Sequence, residues 1–197
     1  DRKLIPKTTE PWWNYGENPK VYAIDTARLK NVIEVVTKQA GWGRKMPQGS
    51  GLGLAAHRAF VSYAAAVVEV VIGEGGRIKI PRVDLAIDCG AHINPERIRS
   101  QLEGAIIQGI SVAMYSNITF KDGVVQQTNF DSYELARMDI APREVKIHLV
   151  ESTGYDAPLG GVGEPGVPPI APAIANAIFA ATGKRVRSLP IGSQLAS

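Results

Sequence analysis

The residues most able to do chemistry surround Glu164, in a loop rich in glycine and proline. Residues 160–172 read Gly-Gly-Val-Gly-Glu-Pro-Gly-Val-Pro-Pro-Ile-Ala-Pro, and no Asp or Glu follows Glu164 in the chain. Glycine lets the backbone take positive φ and come close to a ligand. The alanine-rich segment that follows predicts a helix, whose first turn would offer unpaired N–H donors. The pattern indicates a built site that contains one carboxylate.

The residues of this loop suggest three chemical roles. Gly161, Gly163 and Gly166 match the G-x-G-x-x-G pattern of dinucleotide-binding folds. That role fails because no acid follows to bind a ribose, and the remaining chain is too short for a convincing second strand. Two roles stay open from spacing alone. Glu164 either caps the helix behind it, which stabilises a protein by about 0.3–1 kcal/mol, or acts as a catalytic base.

Composition argues against several other classes of protein. The 197 residues carry a net charge of +3 without a basic stripe, so nucleic acid is not an expected partner. Cys89 is the only cysteine and the three histidines are far apart, which excludes an internal disulfide and gives no zinc or iron–sulfur ligand set. No apolar run has the length of a membrane span. Since the sequence begins with Asp1, bacterial periplasm, inner-membrane association and cytoplasm all stay open.

The first half of the chain predicts one helix and two long strands. Residues 1–24, rich in Pro and Trp, predict an irregular lead-in to a domain over 25–197. Asp25 and Thr26 precede a helix over 27–40, and a glycine-rich loop over 42–53 is either a flexible connector or a ligand loop. Strands over 60–72 and 77–88 form a hairpin through Gly73–Gly76. Pro81 indicates a bulge in the second strand.

The second half predicts a helix with two distinct faces. Asn94 and Pro95 begin a helix that runs to about 113. Gln101, Gly104 and Gln108 share a face opposite its apolar residues, and that face could hold either a polar ligand or another backbone. Further elements are a hairpin over 115–121 and 124–129 with its turn at Asp122-Gly123, a strand over 144–151 and a helix over 169–182. The predicted fold class is α+β, with antiparallel hairpins in a sheet packed with helices.

Several ordered motifs together are more specific than the glycine pattern. Over residues 25–192 the chain resembles the C-terminal part of the molybdenum hydroxylase large subunit, in the xanthine oxidase and aldehyde oxidoreductase family, and most closely its isoquinoline 1-oxidoreductase branch. The motifs that carry the resemblance are Asp88-Cys89-Gly90, Asn94-Pro95, Gln101-Leu102-Glu103-Gly104, Gln108-Gly109, Phe130-Asp131-Ser132-Tyr133, Arg137-Met138, Gly161-Val162-Gly163-Glu164-Pro165-Gly166 and 177–185.

The resemblance implies a role for five residues. Glu164 would be the active-site base, taking a proton from a Mo–OH group so that the oxygen attacks an aldehyde or N-heterocyclic carbon. Gln101 would contact the molybdopterin cofactor, and Gly161, Val162 and Gly163 would line it beside the metal. The pterin dithiolene would hold molybdenum, so no residue of this chain is an expected metal ligand.

The resemblance also implies partners. The family's large subunit is several times longer, so this chain would be a fragment of it or one piece of a split subunit. Molybdopterin is expected in its cytosine dinucleotide form. Iron–sulfur clusters would lie on a small partner subunit, with a cytochrome c as a further electron acceptor and a small molecule as substrate. The alternative is a non-catalytic structural or interaction domain that keeps the fold.

Overall fold

A computed structural model of the chain describes residues 22–150 and 158–195. The predicted lead-in over 1–24 therefore lies almost entirely outside the described residues. In chain order the elements are α1 (Thr26–Gln39), β1 (Ser50–Ala59), β2 (Ser62–Ile72), β3 (Ile78–Asp88), α2 (Pro95–Met114), β4 (Phe120–Lys121), β5 (Val124–Val125), β6 (Glu144–Leu149) and α3 (Ile170–Thr182). None of the helices in these two ranges combines the length and apolarity needed to cross a membrane.

The main sheet is mixed, which confirms the α+β class. Its strand order is β1-β2-β3-β6; β1, β2 and β3 are antiparallel neighbours, and β6 pairs with β3 in parallel. The predicted bulge is present: Glu69 pairs with Arg82, but Val71 pairs with Lys79, so β3 carries one extra residue beside Pro81. The predicted second hairpin exists as β4 and β5, with much shorter strands than expected.

Helices cover both faces of the main sheet because successive strand residues point to opposite sides. On one face, Ala66, Val68 and Val70 of β2 join a core with α2 and α3. On the other, Ala65 and Val67 join a smaller core with α1, where Val32 and Val36 are fully buried. Each helix therefore has a strand partner, and the sheet fixes where α2 and α3 meet.

The structure corrects the predicted loop over 42–53, because β1 begins at Ser50 and includes Gly51 and Gly53. Those glycines bring two backbones together rather than holding a ligand. A Cβ on Gly53 would overlap the carbonyl oxygen of Ala173, and one on Gly51 would lie 2.7 Å from the Ala181 nitrogen. Glycine in a strand marks such close approaches. The predicted strand over 60–72 begins instead at Ser62, after a turn at Phe60 and Val61.

Helix α2 has the two faces that the sequence predicts. Asn94 is its N-cap and accepts a 3.1 Å hydrogen bond from the Arg97 nitrogen, with Pro95 as the first helical residue. Ile98, Leu102, Ile106 and Ile110 are buried on one side. The exposed opposite side carries Gln101, Gly104 and Gln108.

Candidate functional site

A depression of about 330 Å³ lies between the exposed face of α2 and the loop that precedes α3. Gln101, Gly104 and Gln108 line it from the helix, and Gly163 and Glu164 line it from the loop. Residues more than fifty positions apart in the sequence thus share one concave surface. Two amides, one carboxylate and two glycines surround a volume large enough for part of an organic ligand.

The loop is fixed at its entry by the turn between β1 and β2. The Gly160 nitrogen donates to the Cys89 carbonyl oxygen at 2.9 Å, and the Gly161 nitrogen donates to the Phe60 carbonyl oxygen at 2.8 Å. Ser62 Oγ donates to the Gly161 carbonyl oxygen at 2.6 Å. Both glycines are needed for this approach: a Cβ on Gly160 would overlap Ser62 Oγ, and one on Gly161 would lie 2.9 Å from Phe60 Cβ.

The loop is fixed at its exit by packing against α2. Gly166 is buried, and a Cβ there would lie 3.0 Å from both Leu102 Cδ2 and Ala105 Cβ. The Val167 nitrogen donates to the Glu164 carbonyl oxygen at 2.9 Å, closing a turn around Pro165 and Gly166. Glu164 therefore stands between two anchored segments and beside the face of α2 that carries Gln101.

The turn that receives the loop has an unusual backbone. Phe60 and Val61 are the two central residues of a two-residue hairpin, with φ of 48° and 68°. Such turns favour Asn-Gly or Asp-Gly because both residues need positive φ, and Asp122-Gly123 between β4 and β5 follows that rule. A left-handed conformation costs an ordinary residue roughly 1–2 kcal/mol. The Phe60–Val61 turn is thus a strained element in contact with the Glu164 loop at Gly161.

The structure brings three of the five residues assigned by resemblance to the depression. Gln101, Gly163 and Glu164 line it, whereas Gly161 and Val162 do not. Gly161 contacts the β1–β2 turn, and Val162 packs against the main core. Gln108, which the sequence placed on the same helix face as Gln101, also lines the depression. Gln101 and Gln108 are seven residues apart, and this spacing predicts that both lie on one face of the helix.

Glu164 does not cap the following helix in the described chain. Helix α3 begins at Ile170, its N-cap is Pro169, and no side chain hydrogen-bonds to that cap. The Glu164 side chain is exposed and, among the described residues, has neither a hydrogen bond nor an ion pair. Of the described residues that line the depression, Glu164 is the only charged one. Its carboxylate is free to act on a ligand.

Space for a ligand is open on both walls of the depression. A Cβ built on Gly104 or on Gly163 has no described heavy atom within 4 Å. Neither glycine is therefore required by packing against the described residues, unlike Gly160, Gly161 and Gly166. Bare backbone on a helix face and in a loop is the arrangement that lets a large cofactor lie close to the protein.

Two ion pairs with buried carboxylates and partly buried arginines lie along the sheet, and the sequence did not reveal either. Arg28 donates to both oxygens of Asp88, at 2.8 and 2.6 Å, and its guanidinium lies 4.7 Å from the centre of the Tyr63 ring. These hydrogen bonds raise the pKa of Arg28. Asp84 accepts two hydrogen bonds from Arg82 and lies 2.9 Å from His148 Nε2. Burial opposes the charge on Asp84, yet these partners lower its pKa.

Solved structures place this architecture in a known class. Aldehyde oxidoreductase from Desulfovibrio gigas superposes with a TM-score of 0.60, covering 68% of this chain and 15% of that chain at 24% identity. An identity this low establishes the fold alone. The α+β arrangement of this chain is therefore that of a domain found in aldehyde oxidoreductases.

The sequence then identifies the family. The profile of the molybdopterin cofactor-binding domain matches residues 22–142, and the chain belongs to that family. Isoquinoline 1-oxidoreductase subunit beta of Brevundimonas diminuta is 35% identical over 84% of this chain and 21% of its own length. The aldehyde oxidoreductase molybdenum-binding subunit of Escherichia coli K12 is 32% identical over 66% of this chain and 18% of its own length. The resemblance to molybdenum hydroxylases is thus confirmed, although the chain spans only these small shares of its relatives.

Proposed function

We propose that this chain is the C-terminal cofactor-binding part of a molybdenum hydroxylase. The enzyme would hydroxylate an aldehyde or an N-heterocyclic aromatic carbon with oxygen from water. The observation that carries the proposal is the shared depression, which Glu164 lines from the loop and Gln101 lines from α2. Family membership and the isoquinoline and aldehyde oxidoreductase relatives support the class of substrate.

The residues of the depression fit a molybdopterin cofactor, which we propose in its cytosine dinucleotide form. Pterin and phosphate groups present both acceptors and donors, and the side-chain amides of Gln101 and Gln108 can satisfy either. Gly104 and Gly163 leave the backbone open to close approach. When bound, the cofactor supplies the two-electron oxidation of the substrate. Gly161 and Val162 would act on it indirectly, by holding Gly163 in place.

Glu164 is proposed as the general base. Its side chain has no competing partner among the described residues, and its backbone is held by the hydrogen bond from Val167. A carboxylate at the mouth of the depression can take a proton as water-derived oxygen is transferred to the substrate carbon. A positioned base of this kind contributes roughly 10²–10⁴-fold to a rate.

The proposed function requires partners. The remainder of the large subunit would complete the cofactor and substrate contacts. Electrons would leave through iron–sulfur clusters on a small subunit, because Cys89 is the only cysteine of this chain and is buried. A cytochrome c is proposed as a further acceptor. None of these roles needs a metal ligand from this chain, and its described residues form no cluster able to hold a metal ion.

The test is Glu164→Gln in the complete enzyme, with Glu103→Gln as matched control. Glu103 is exposed on α2 but does not line the depression. We expect Glu164→Gln to abolish dye-linked oxidation of aldehydes and N-heterocycles while molybdenum content stays normal, and Glu103→Gln to leave both unchanged. Near-normal turnover in Glu164→Gln would overturn the catalytic role and favour a non-catalytic domain that keeps the fold.

A further inference from the structure

Ser62 makes a hydrogen bond that links the sheet to the loop carrying Glu164. Its side chain is fully buried, and its hydroxyl donates to the Gly161 carbonyl oxygen at 2.6 Å across a sequence separation of 99 residues. The Gly161 nitrogen returns a bond to the Phe60 carbonyl oxygen at 2.8 Å. Both polar groups of Gly161 are thus held by the same turn.

This connection has little freedom to shift. Gly160 lies so close to Ser62 that a Cβ would overlap the hydroxyl oxygen and lie 2.9 Å from the Ser62 nitrogen. The strained left-handed conformations of Phe60 and Val61 bring the Phe60 carbonyl to the loop. Strain of this kind persists only where surrounding contacts over-determine the backbone. The paired bonds to Gly161 are such contacts.

We propose that Ser62 is a positioning residue for Glu164. The inference rests on the proposed function of Glu164. Only Val162 and Gly163 separate the anchored Gly161 from Glu164. Gly166, two residues after Glu164, is anchored on α2. Since three residues of chain span at most about 11 Å, the anchor at Ser62 limits where the carboxylate can lie. Ser62 acts through Gly161 and does not line the depression.

The test compares Ser62→Ala with Ser111→Ala in the complete enzyme. Ser111 is also a buried serine with backbone hydrogen bonds, since its hydroxyl accepts from the Ala136 nitrogen and donates to the Ile107 carbonyl oxygen. It does not line the depression, and neither of these hydrogen bonds is to the Glu164 loop. A misplaced catalytic group costs up to roughly 10²-fold in rate. We expect Ser62→Ala to lower kcat about 10- to 100-fold with KM and molybdenum content unchanged, and Ser111→Ala to keep kcat.

Hydrogen exchange supplies a readout that does not depend on activity. The backbone amides of residues 159–164 and of Gly166 should exchange faster in Ser62→Ala than in Ser111→Ala, and unchanged exchange would overturn the anchor. Should Ser62→Ala not fold, Ser62→Cys keeps a side-chain donor that is weaker, in a slightly larger side chain, and tests the same bond.

The outcomes separate this inference from the proposed function. If Glu164→Gln abolishes turnover and Ser62→Ala behaves like Ser111→Ala, the positioning role is wrong and the proposed function stands. If Glu164→Gln turns over normally, the proposed function fails, and with it the catalytic meaning of Ser62. A kcat loss confined to Ser62→Ala and Glu164→Gln supports both.

Discussion

Arg28 of the first helix and Asp88 at the end of β3 form an ion pair joined by two hydrogen bonds. The carboxylate is 8% exposed and the guanidinium 21%. Asp88 also accepts a 3.2 Å hydrogen bond from the Gly90 nitrogen. The pair therefore fastens α1 to the end of the sheet where Cys89 receives the Glu164 loop.

Asp88→Ala should destabilise the protein by about 3 kcal/mol, because Arg28 would keep its charge in a partly buried position without its carboxylate partner. The free energy of urea unfolding measures this. Glu34→Ala is the control, because the side chains of the Lys30–Glu34 pair are 62% and 60% exposed. Removing this exposed pair should lower the free energy of unfolding by less than about 0.5 kcal/mol. Equal losses in the two variants would contradict a structural role for the Arg28–Asp88 pair.

Asp84 should make stability depend on acid pH. The native pKa of Asp84 is lowered, since its partners His148 and Arg82 outweigh the opposing effect of burial. The unfolded state therefore binds more protons between the native pKa and the ordinary value of 3.8, so stability rises with pH there. We expect the stabilisation from Asp84 to be complete above pH 3.8 and to disappear as pH falls through the native pKa. The free energy of unfolding, measured as a function of pH, should fall less steeply in acid for Asp84→Asn than for the unsubstituted protein.

Gly53→Ala should be strongly destabilising. The new methyl group would overlap the Ala173 carbonyl oxygen, so β1 and α3 would have to separate. Overpacking costs typically about 1–3 kcal/mol, and backbone overlap belongs at the upper end. Thermal or urea unfolding gives the result. Gly163→Ala is the control, because its new methyl group meets no described atom within 4 Å. It should leave the stability of the chain nearly unchanged.

Gly104→Ala should separate stability from function. Gly104 lies inside α2 with open space around an added Cβ. Alanine favours a helix over glycine by about 0.8–1 kcal/mol, so unfolding of the cofactor-free protein should shift to higher denaturant. In the complete enzyme the same methyl group would enter the proposed cofactor site and lower molybdenum content. Normal molybdenum content with normal turnover would show that no cofactor lies against this face.

The sequence predicted those elements whose signals are local. Asp25, Asn94 and Gly183 mark helix ends because each acts within one turn of its own helix. The bulge was predictable because Pro81 interrupts the alternation of inward-facing residues within one strand. Such features can be predicted from a few neighbouring residues, without knowing which element packs against them.

The wrong predictions concern residues whose structural role depends on contacts with distant parts of the chain. Gly51 and Gly53 favoured a loop, yet they serve the close approach of α3, which no local pattern records. Phe60 and Val61 have strong strand preferences, yet they form a turn held by Gly161. The site itself was partly predictable, since Gln101 and Gln108 share a helix face. Its meeting with Glu164 depends on Gly166 packing against Leu102, which only the fold establishes.

The backbone contact between β1 and α3 has a consequence for biosynthesis. The ribosome makes β1 more than one hundred residues before its covering helix α3, which is the last helix of the described residues to emerge. Until then Ala66, Val68 and Val70, which pack in the core that α3 completes, lack part of the surface that shields them. Exposed apolar surface of this kind invites aggregation. Chaperones that hold the nascent chain should therefore engage it until α3 is released, and truncation before Ile170 should leave an insoluble product.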